Sequence, residues 1–134
     1  MLSQTTEYAL RAVVWIADHP GEPQTAEVIA AGMQVPRTYL SKVMRQLVRH
    51  GVLNAQRGKS GGFGLARPVK EICVLDIVNA VDPVRRIHSC PLHLERHKDK
   101  LCPLHRKLDA AMAAMEREFQ TTTMVQLLGG QYGR

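Results

Sequence analysis

The 134-residue sequence is poor in aromatic residues, which make up only 4% of the chain. Its core must therefore consist mainly of Leu, Val, Ile, Ala and Met, a composition that suits helices better than a β-sandwich. The sequence also lacks an apolar run of about 18 residues, the length that spans a bilayer. Glu7 and Arg11 interrupt the first apolar stretch, so we predict no signal peptide and expect a cytoplasmic protein without a membrane partner.

Acidic residues are absent from the segment between Pro36 and Lys70, although the whole chain has a formal net charge of +6. The basic residues of this acid-free segment are Arg37, Lys42, Arg45, Arg49, Arg57, Lys59, Arg67 and Lys70. Such a stretch is typical of proteins that bind the phosphate backbone of nucleic acids, and less specifically of a solvated basic surface.

The sequence also lacks a recognisable catalytic grouping. It has no paired carboxylates and no Ser/His/Asp or Cys/His set in a supporting context, so we expect a protein that is not an enzyme. Gly58-Lys59-Ser60 matches the end of a phosphate-binding loop, but that loop needs a glycine where this chain has Leu53. A tight glycine-rich turn is therefore the better interpretation of this segment.

Apolar residues recur at helical spacing in two segments of the first half of the chain, and capping signals mark a short helix between them. Ser3 can cap the first helix, which ends near His19-Pro20-Gly21. Thr25 can cap a short second helix that runs to Ala31 and is closed by Gly32. These two helices precede the acid-free segment, and the third helix lies inside it.

The third helix is predicted to follow Pro36 and to stop at Gly51. Its apolar face consists of Leu40, Val43, Met44, Leu47 and Val48. Its opposite face consists of Arg37, Thr38, Ser41, Lys42, Arg45 and Arg49. One face can pack in a core while the other enters the major groove of DNA.

After this helix, the helical spacing of apolar residues gives way to short segments typical of strands. Residues 52–56 read as a strand, residues 64–66 as its partner, and the glycine-rich segment 57–62 as the turn between them. Residues 72–81 resemble a strand edge that runs into a helix ending at Asp82. The predicted fold is thus mainly α with a small β wing: a winged helix-turn-helix DNA-binding domain over residues 1–82.

The remaining chain divides into three predicted segments: a Cys- and His-bearing sensor loop over 83–102, a dimerisation helix over 103–128 and a flexible tail over 129–134. The helix should run from about Pro103 to Leu127. Its apolar residues at spacings of three and four are Leu104, Leu108, Ala111, Met112, Met115 and Phe119. A lone amphipathic helix beyond a complete small domain predicts a homodimer.

The sensor loop and the start of the last helix concentrate metal-ligating residue types. These residues are His88, Cys90, His93, His97, Cys102 and His105, and they include two Cys-Pro-Leu-His units. Thiolates and imidazoles at this density suit zinc or an iron–sulfur cluster, although solvated histidines and inert thiols remain the alternative. Cys73 lies in an apolar run, so we expect it to be a buried small hydrophobe.

Several segments together resemble the Rrf-two-type bacterial transcriptional regulators, which include iron–sulfur and nitric-oxide sensors. The resemblance covers essentially the whole chain and rests on residues 8–11, 39–42, 57–68 and 74–81. It implies a homodimer whose two winged domains bind a palindromic operator in double-stranded DNA. The residues expected near DNA are Arg37, Thr38, Tyr39, Lys42, Arg57, Lys59 and Ser60.

The resemblance also implies a ligand set for a cluster. Sensing members carry a Cys-x5-Cys-x5-Cys motif, and some have a histidine three residues after the last cysteine. In this chain Cys90 and Cys102 match the first and third cysteines, and His105 matches the histidine. The middle position is Arg96, which cannot ligate iron. Other members recruit an acid near the start of the first helix across the dimer, where this chain has Glu7.

The expected ligands of the cluster are therefore Cys90, Cys102, His105 and Glu7, with His93 and His97 in reserve. Mixed ligation favours a [2Fe-2S] cluster over a four-iron cluster. Three alternatives stay open. The same regulator could hold zinc, it could use a reversible disulfide between the two loop cysteines, or the chain could be a zinc-stabilised interaction module without a DNA role.

Overall fold

The computed structural model describes residues 2–97 and 100–129. Within these residues the chain forms six α-helices and a two-stranded antiparallel sheet, in the order expected of a winged helix-turn-helix domain with a helical extension. The elements are α1 (Gln4–Ala17), α2 (Ala26–Met33), α3 (Arg37–Arg49), β1 (Leu53–Gln56), β2 (Gly62–Leu65), α4 (Val74–Val81), α5 (Pro103–Thr121) and α6 (Met124–Leu127). No helix in the described part of the chain is both long and apolar enough to cross a membrane.

The core lies between α1, α2, α3 and α4, which pack against one another. The α3 side chains buried in it are Leu40, Val43, Met44 and Leu47. Ile29 of α2 and Ile77 of α4 are also fully buried. Because the buried positions of α3 occupy one helical face, the opposite basic face is left in solvent, as the sequence predicts.

The wing is the hairpin of β1 and β2, paired from Leu53 with Leu65 to Gln56 with Gly62. The strands start and end within two residues of their predicted bounds. Gln24, in the loop before α2, extends the sheet by bridging to Phe63. Gly62 permits this approach because it has a φ of 148°, and a Cβ there would lie 2.8 Å from the backbone of Gln24.

Gly32 does not close α2, contrary to the prediction. The helix continues to Met33, and Gln34 ends it in a left-handed conformation with a φ of 57°. Gly32 instead faces Trp15 of α1, where an added Cβ would lie 2.3 Å from a ring carbon. The indole is held by a hydrogen bond from Nε1 to Gln24 Oε1 (2.9 Å), so the glycine sets the distance between α1 and α2.

The predicted single C-terminal helix is in fact two helices. Three consecutive threonines, residues 121–123, separate α5 from α6. The hydroxyls of Thr121 and Thr122 donate to carbonyls of the preceding turn, at 2.9 and 2.7 Å, while Thr123 caps α6. β-Branched side chains that hydrogen-bond to nearby backbone favour helix ends over helix interiors.

At the break between α5 and α6, the chain packs against the winged domain. Thr123 pairs with Cys73 in an antiparallel bridge made by two backbone hydrogen bonds of 2.8 and 3.0 Å. Met124 is then fully buried in the core. The strand edge predicted near residue 72 therefore exists, and its partner is the segment between α5 and α6. Of the predicted flexible tail, all but Gly129 lies outside the described residues.

The helix α5 contains no buried residue, and its two ends differ in environment. Met112, Met115 and Phe119 line a cleft of about 270 Å³ against α1, α4 and the chain after α4. At the other end, Leu104 and Leu108 are 59% and 42% exposed. The first half of α5 thus presents leucines that nothing in the described chain covers.

We predict that Gly32→Ala lowers the free energy of unfolding by about 1–3 kcal/mol, because the new methyl group must displace the Trp15 ring. Helix propensity alone would favour alanine by about 1 kcal/mol. Urea denaturation measures the net effect. In a Trp15→Leu background the same substitution should be neutral or stabilising. A stabilised Gly32→Ala protein with Trp15 intact would contradict this role of the glycine.

Candidate nucleic-acid interface and metal centre

Most basic residues of the acid-free segment are exposed. All of its Lys and Arg residues are exposed except Arg67, which is half-buried and pairs with Asp76 at 3.2 Å. The predicted DNA-contact residues Arg37, Thr38 and Lys42 lie exposed on α3. Those predicted in the wing, Arg57, Lys59 and Ser60, are exposed at the turn between β1 and β2.

A groove of about 610 Å³ separates α3 from the wing. The start of α2, with Thr25 as its cap, forms one wall of this groove, and the wing glycines form another. Its basic side chains are Arg37 and Arg45. Arg45 was not among the predicted contacts, although its spacing of eight residues from Arg37 places both on the same side of α3.

Arg37 has an acidic partner from outside the acid-free segment. Its guanidinium lies 2.7 Å from Glu27 on α2, with the two side chains 54% and 65% exposed. An ion pair this exposed contributes little stability, about 0–1 kcal/mol, and water screens it. Arg37 can therefore exchange this carboxylate for a phosphate at small cost.

Tyr39 occupies a different position from the other predicted DNA contacts. Its ring packs edge-on against Tyr8 of α1, with centroids 5.2 Å apart, and its hydroxyl hydrogen-bonds to that of Thr5. It is 37% exposed. Tyr39 thus joins the first turn of α1 to α3, and a direct contact with DNA stays a prediction.

The two loop cysteines and one histidine come together at the start of α5. Cys102 Sγ lies 2.9 Å from His105 Nδ1, and Cys90 Sγ lies 3.9 Å from the same nitrogen. The three potential ligand atoms all lie within 4.8 Å of one another. Among the residues that the structure describes, this is the one group of three or more His, Cys, Asp or Glu residues that could hold a metal ion.

The environment of Cys102 favours its thiolate, the form that binds metals. Cys102 is buried and forms the N-cap of α5, where its Sγ accepts a hydrogen bond from the backbone N–H of His105 at 3.5 Å. This backbone bond, and next the imidazole of His105, lower the pKa of the thiol from 9.0 to about 7. The start of a helix stabilises negative charge in the same way.

The two Cys-Pro-Leu-His units have different structures. The second begins α5, with Pro103 in the first helical turn. The first forms a turn that leaves His93 exposed with a φ of 55°. Two identical tetrapeptides therefore provide two different parts of the Cys90–Cys102–His105 group: a loop cysteine, and a helix-capping cysteine with its histidine.

Of the other predicted ligands, Glu7 is exposed on the first turn of α1, and neither it nor His93 belongs to the Cys90–Cys102–His105 group. The side chain of His97 lies outside the described residues. Cys73 is not the buried hydrophobe that the sequence suggests. It is half-buried, caps α4 and donates from Sγ to Asp76 Oδ2 at 3.4 Å.

An ion pair that the sequence does not predict joins the loop to α5. Asp109 of α5 accepts hydrogen bonds from Arg86 Nε and Nη2, both at 2.7 Å, and from the backbone N–H of Ile87 at 2.8 Å. Arg86, followed by this N–H, lowers the pKa of Asp109 to about 2. No sequence signal links residues 23 positions apart in a loop and a helix, so only the fold reveals the pair.

Comparison with known proteins identifies the family. A sequence profile of the Rrf2 (Rrf-two) family, described as iron-dependent transcriptional regulator, matches residues 2–130. The chain therefore belongs to the Rrf2 family, whose members are transcriptional regulators rather than enzymes. A protein of Aquifex aeolicus described as an HTH-type transcriptional regulator is 29% identical over 131 residues, which cover 96% of this chain and 91% of that protein.

Solved structures agree with the winged-helix fold. The global cysteine regulator CymR of B. subtilis superimposes with a TM-score of 0.78 at 23% identity, covering 98% of both chains. IscR of T. potens gives a TM-score of 0.78 at 21% identity, covering 97% of this chain and 87% of that one.

Proposed function

We propose that this protein is a homodimeric repressor or activator that binds double-stranded DNA through α3 and the wing. The observation that carries the proposal is the exposed basic face of α3 beside a basic wing, on a chain whose family consists of transcriptional regulators. A helix of this kind fits the major groove, and the lysine and arginine of the wing turn fit phosphate or the minor groove.

The dimer in this proposal is built on the first half of α5. Leu104 and Leu108 are exposed there, and the same loop region exposes Leu92 and Leu94 at 52% and 37%. Burying these side chains against the same surface of a second copy removes them from water and gives a two-fold axis. A two-fold axis in the protein matches a palindromic operator.

The metal centre in this proposal uses Cys90, Cys102 and His105. A tetrahedral ion with thiolate bonds of about 2.3 Å places its sulfur ligands about 3.8 Å apart. The donor atoms of the group, within 4.8 Å of one another, need only small movements to reach that spacing. Two thiolates and an imidazole suit iron–sulfur clusters and zinc, and an iron-dependent family description favours iron.

With three protein ligands, the proposed metal centre still needs a fourth ligand. Glu7 is the leading candidate, supplied by the partner subunit, because the resemblance to members that recruit an acid near the start of the first helix implies it; the residue is exposed on α1. His93 and His97 are the reserve. A mixed set of sulfur, nitrogen and oxygen donors favours a [2Fe-2S] cluster. Such a cluster, when bound, supplies a reversible one-electron redox change.

The ligand group connects three parts of the regulator. Cys90 belongs to the loop, Cys102 and His105 begin the helix of the proposed dimer, and Glu7 stands one residue from Tyr8, which packs on Tyr39 of α3. A change in ligation would therefore alter the position of the loop and of α1 relative to the DNA-reading helix. A shift of about 1–3 kcal/mol in the equilibrium is enough to alter operator affinity by 5–150-fold.

For the DNA interface, we predict that Lys42→Ala and Arg57→Ala weaken binding to a duplex selected from a random pool, with the fold unchanged. Loss of a phosphate contact should reduce the slope of log affinity against log salt by about one, whereas loss of a base contact should cost about 1–3 kcal/mol. Fluorescence anisotropy titrations at several salt concentrations measure both.

Arg117→Ala provides the matched control, since Arg117 is exposed on α5 outside the winged domain. It removes one positive charge without touching the proposed interface. Wild-type isotherms for both interface variants would show that DNA binds another surface.

For the dimer, we predict that Leu108→Glu converts the protein to a monomer in sedimentation equilibrium, because a charge must then be buried in the apolar contact. Ala110→Glu adds the same charge at an exposed position on the other side of α5 and should leave the dimer intact. If Leu108→Glu remains a tight dimer, the interface lies elsewhere.

For the metal centre, we predict that anaerobically purified wild-type protein absorbs visible light and contains iron and sulfide. Cys90→Ala and Cys102→Ala should both lose this absorbance, and the control Cys73→Ala should retain it. A colourless wild type that binds only zinc after reconstitution with iron and sulfide would replace the cluster by a zinc site. A colourless, metal-free protein with a reversible disulfide would instead favour the thiol switch.

A further inference from the structure

We propose that Asp109 and Arg86 are positioning residues that hold Cys90 against Cys102 and His105. Neither is a ligand; the pair acts as a tether between the loop and α5. The inference rests on the proposed metal centre and names residues that assemble it.

The tether consists of three hydrogen bonds to a single carboxylate. Asp109 Oδ1 accepts from Arg86 Nε and from the Ile87 backbone N–H, and Oδ2 accepts from Arg86 Nη2, at 2.7–2.8 Å. A bidentate guanidinium fixes the orientation as well as the distance of its carboxylate. The added backbone bond fixes the main chain of the loop itself, not only a side chain.

The position of the tether in the chain links it to the ligands. Ile87 precedes Cys90 by three residues, which span at most about 11 Å of extended chain. Asp109 follows His105 by four residues, so the two lie one turn apart on the same side of α5. Anchoring Ile87 to this turn restricts Cys90 to the neighbourhood of His105.

The segment that is tethered has no regular secondary structure of its own. Residues 83–89, between the end of α4 and Cys90, are irregular. A flexible segment would spread the Cys90 thiol over many positions and lower its effective concentration near Cys102. The tether removes part of this freedom before any metal binds.

The Asp109 pair is less exposed than the other ion pair of comparable length. Its side chains are 35% and 18% exposed, compared with 54% and 65% for Arg37 and Glu27. Partial exclusion of water strengthens the bidentate pair, and the third hydrogen bond requires a geometry that an ordinary surface pair does not have. These features distinguish a positioning contact from an incidental one.

The test uses Asp109→Asn, Arg86→Ala and their combination in a Cys73→Ala background, with Glu118→Gln as control. The control removes one acidic charge from the same helix at an exposed position. Two readouts are measured on the full chain. One is the rate at which diamide, which takes up two electrons and two protons, joins Cys90 to Cys102 in metal-free protein. The other is the affinity for Co²⁺, followed by its thiolate charge-transfer band.

We expect both single variants to slow disulfide formation severalfold and to weaken Co²⁺ binding by about tenfold or more, as for other residues that orient metal ligands. The combined variant should lose no more than the worse single variant, because both remove the same tether. Glu118→Gln should match its background in both readouts.

The outcomes separate the tether from the metal centre. Slower disulfide formation in a protein whose parent binds no Co²⁺ would support the tether and count against the metal site. Wild-type disulfide rates and Co²⁺ affinity in Asp109→Asn would overturn the tether, whether or not the parent carries iron. Additive losses in the combined variant would also overturn it, because the two residues would then act separately.

Discussion

The hydrogen bond from the His105 backbone to the sulfur of Cys102 is the contact on which the rest of the proposed site depends. It makes one residue both the cap of α5 and a candidate ligand, so the start of the helix and the start of the proposed metal site coincide. Without that cap, the helix end would keep an unsatisfied donor and the thiol would lose its main source of stabilisation as thiolate.

The helix α5 connects this site to the rest of the molecule at its other end. There the chain breaks at three threonines, pairs with the backbone of Cys73 and buries Met124 in the core. One end of α5 is thus fixed to the winged domain, while the other carries the ligand group and exposed leucines. In the proposed regulator, a change at the ligand group would therefore act between a fixed domain and the partner subunit.

The sequence predicts the features that depend on the spacing and type of neighbouring residues. Helical spacing in α3 places its basic face correctly, and the glycine-rich turn indicates the wing. Features that depend on contacts between distant residues have no such local pattern. The sequence indicates a helix stop at Gly32, because nothing in the neighbouring residues reveals that Trp15 of α1 packs against this glycine. The two Cys-Pro-Leu-His units look alike, and only the fold makes one a turn and the other a helix start; likewise, the Arg86–Asp109 pair has no sequence signature.

In the proposed regulator, DNA affinity depends on whether the Cys90–Cys102–His105 group holds its metal. The most direct test is a titration of one selected duplex at one salt concentration. It compares the protein loaded with iron and sulfide under anaerobic conditions with the same preparation after its metal is removed. The account predicts a 5–150-fold difference between the two, and a Cys102→Ala protein that behaves like the metal-free form under both treatments. Equal affinities of the loaded and metal-free proteins would contradict it.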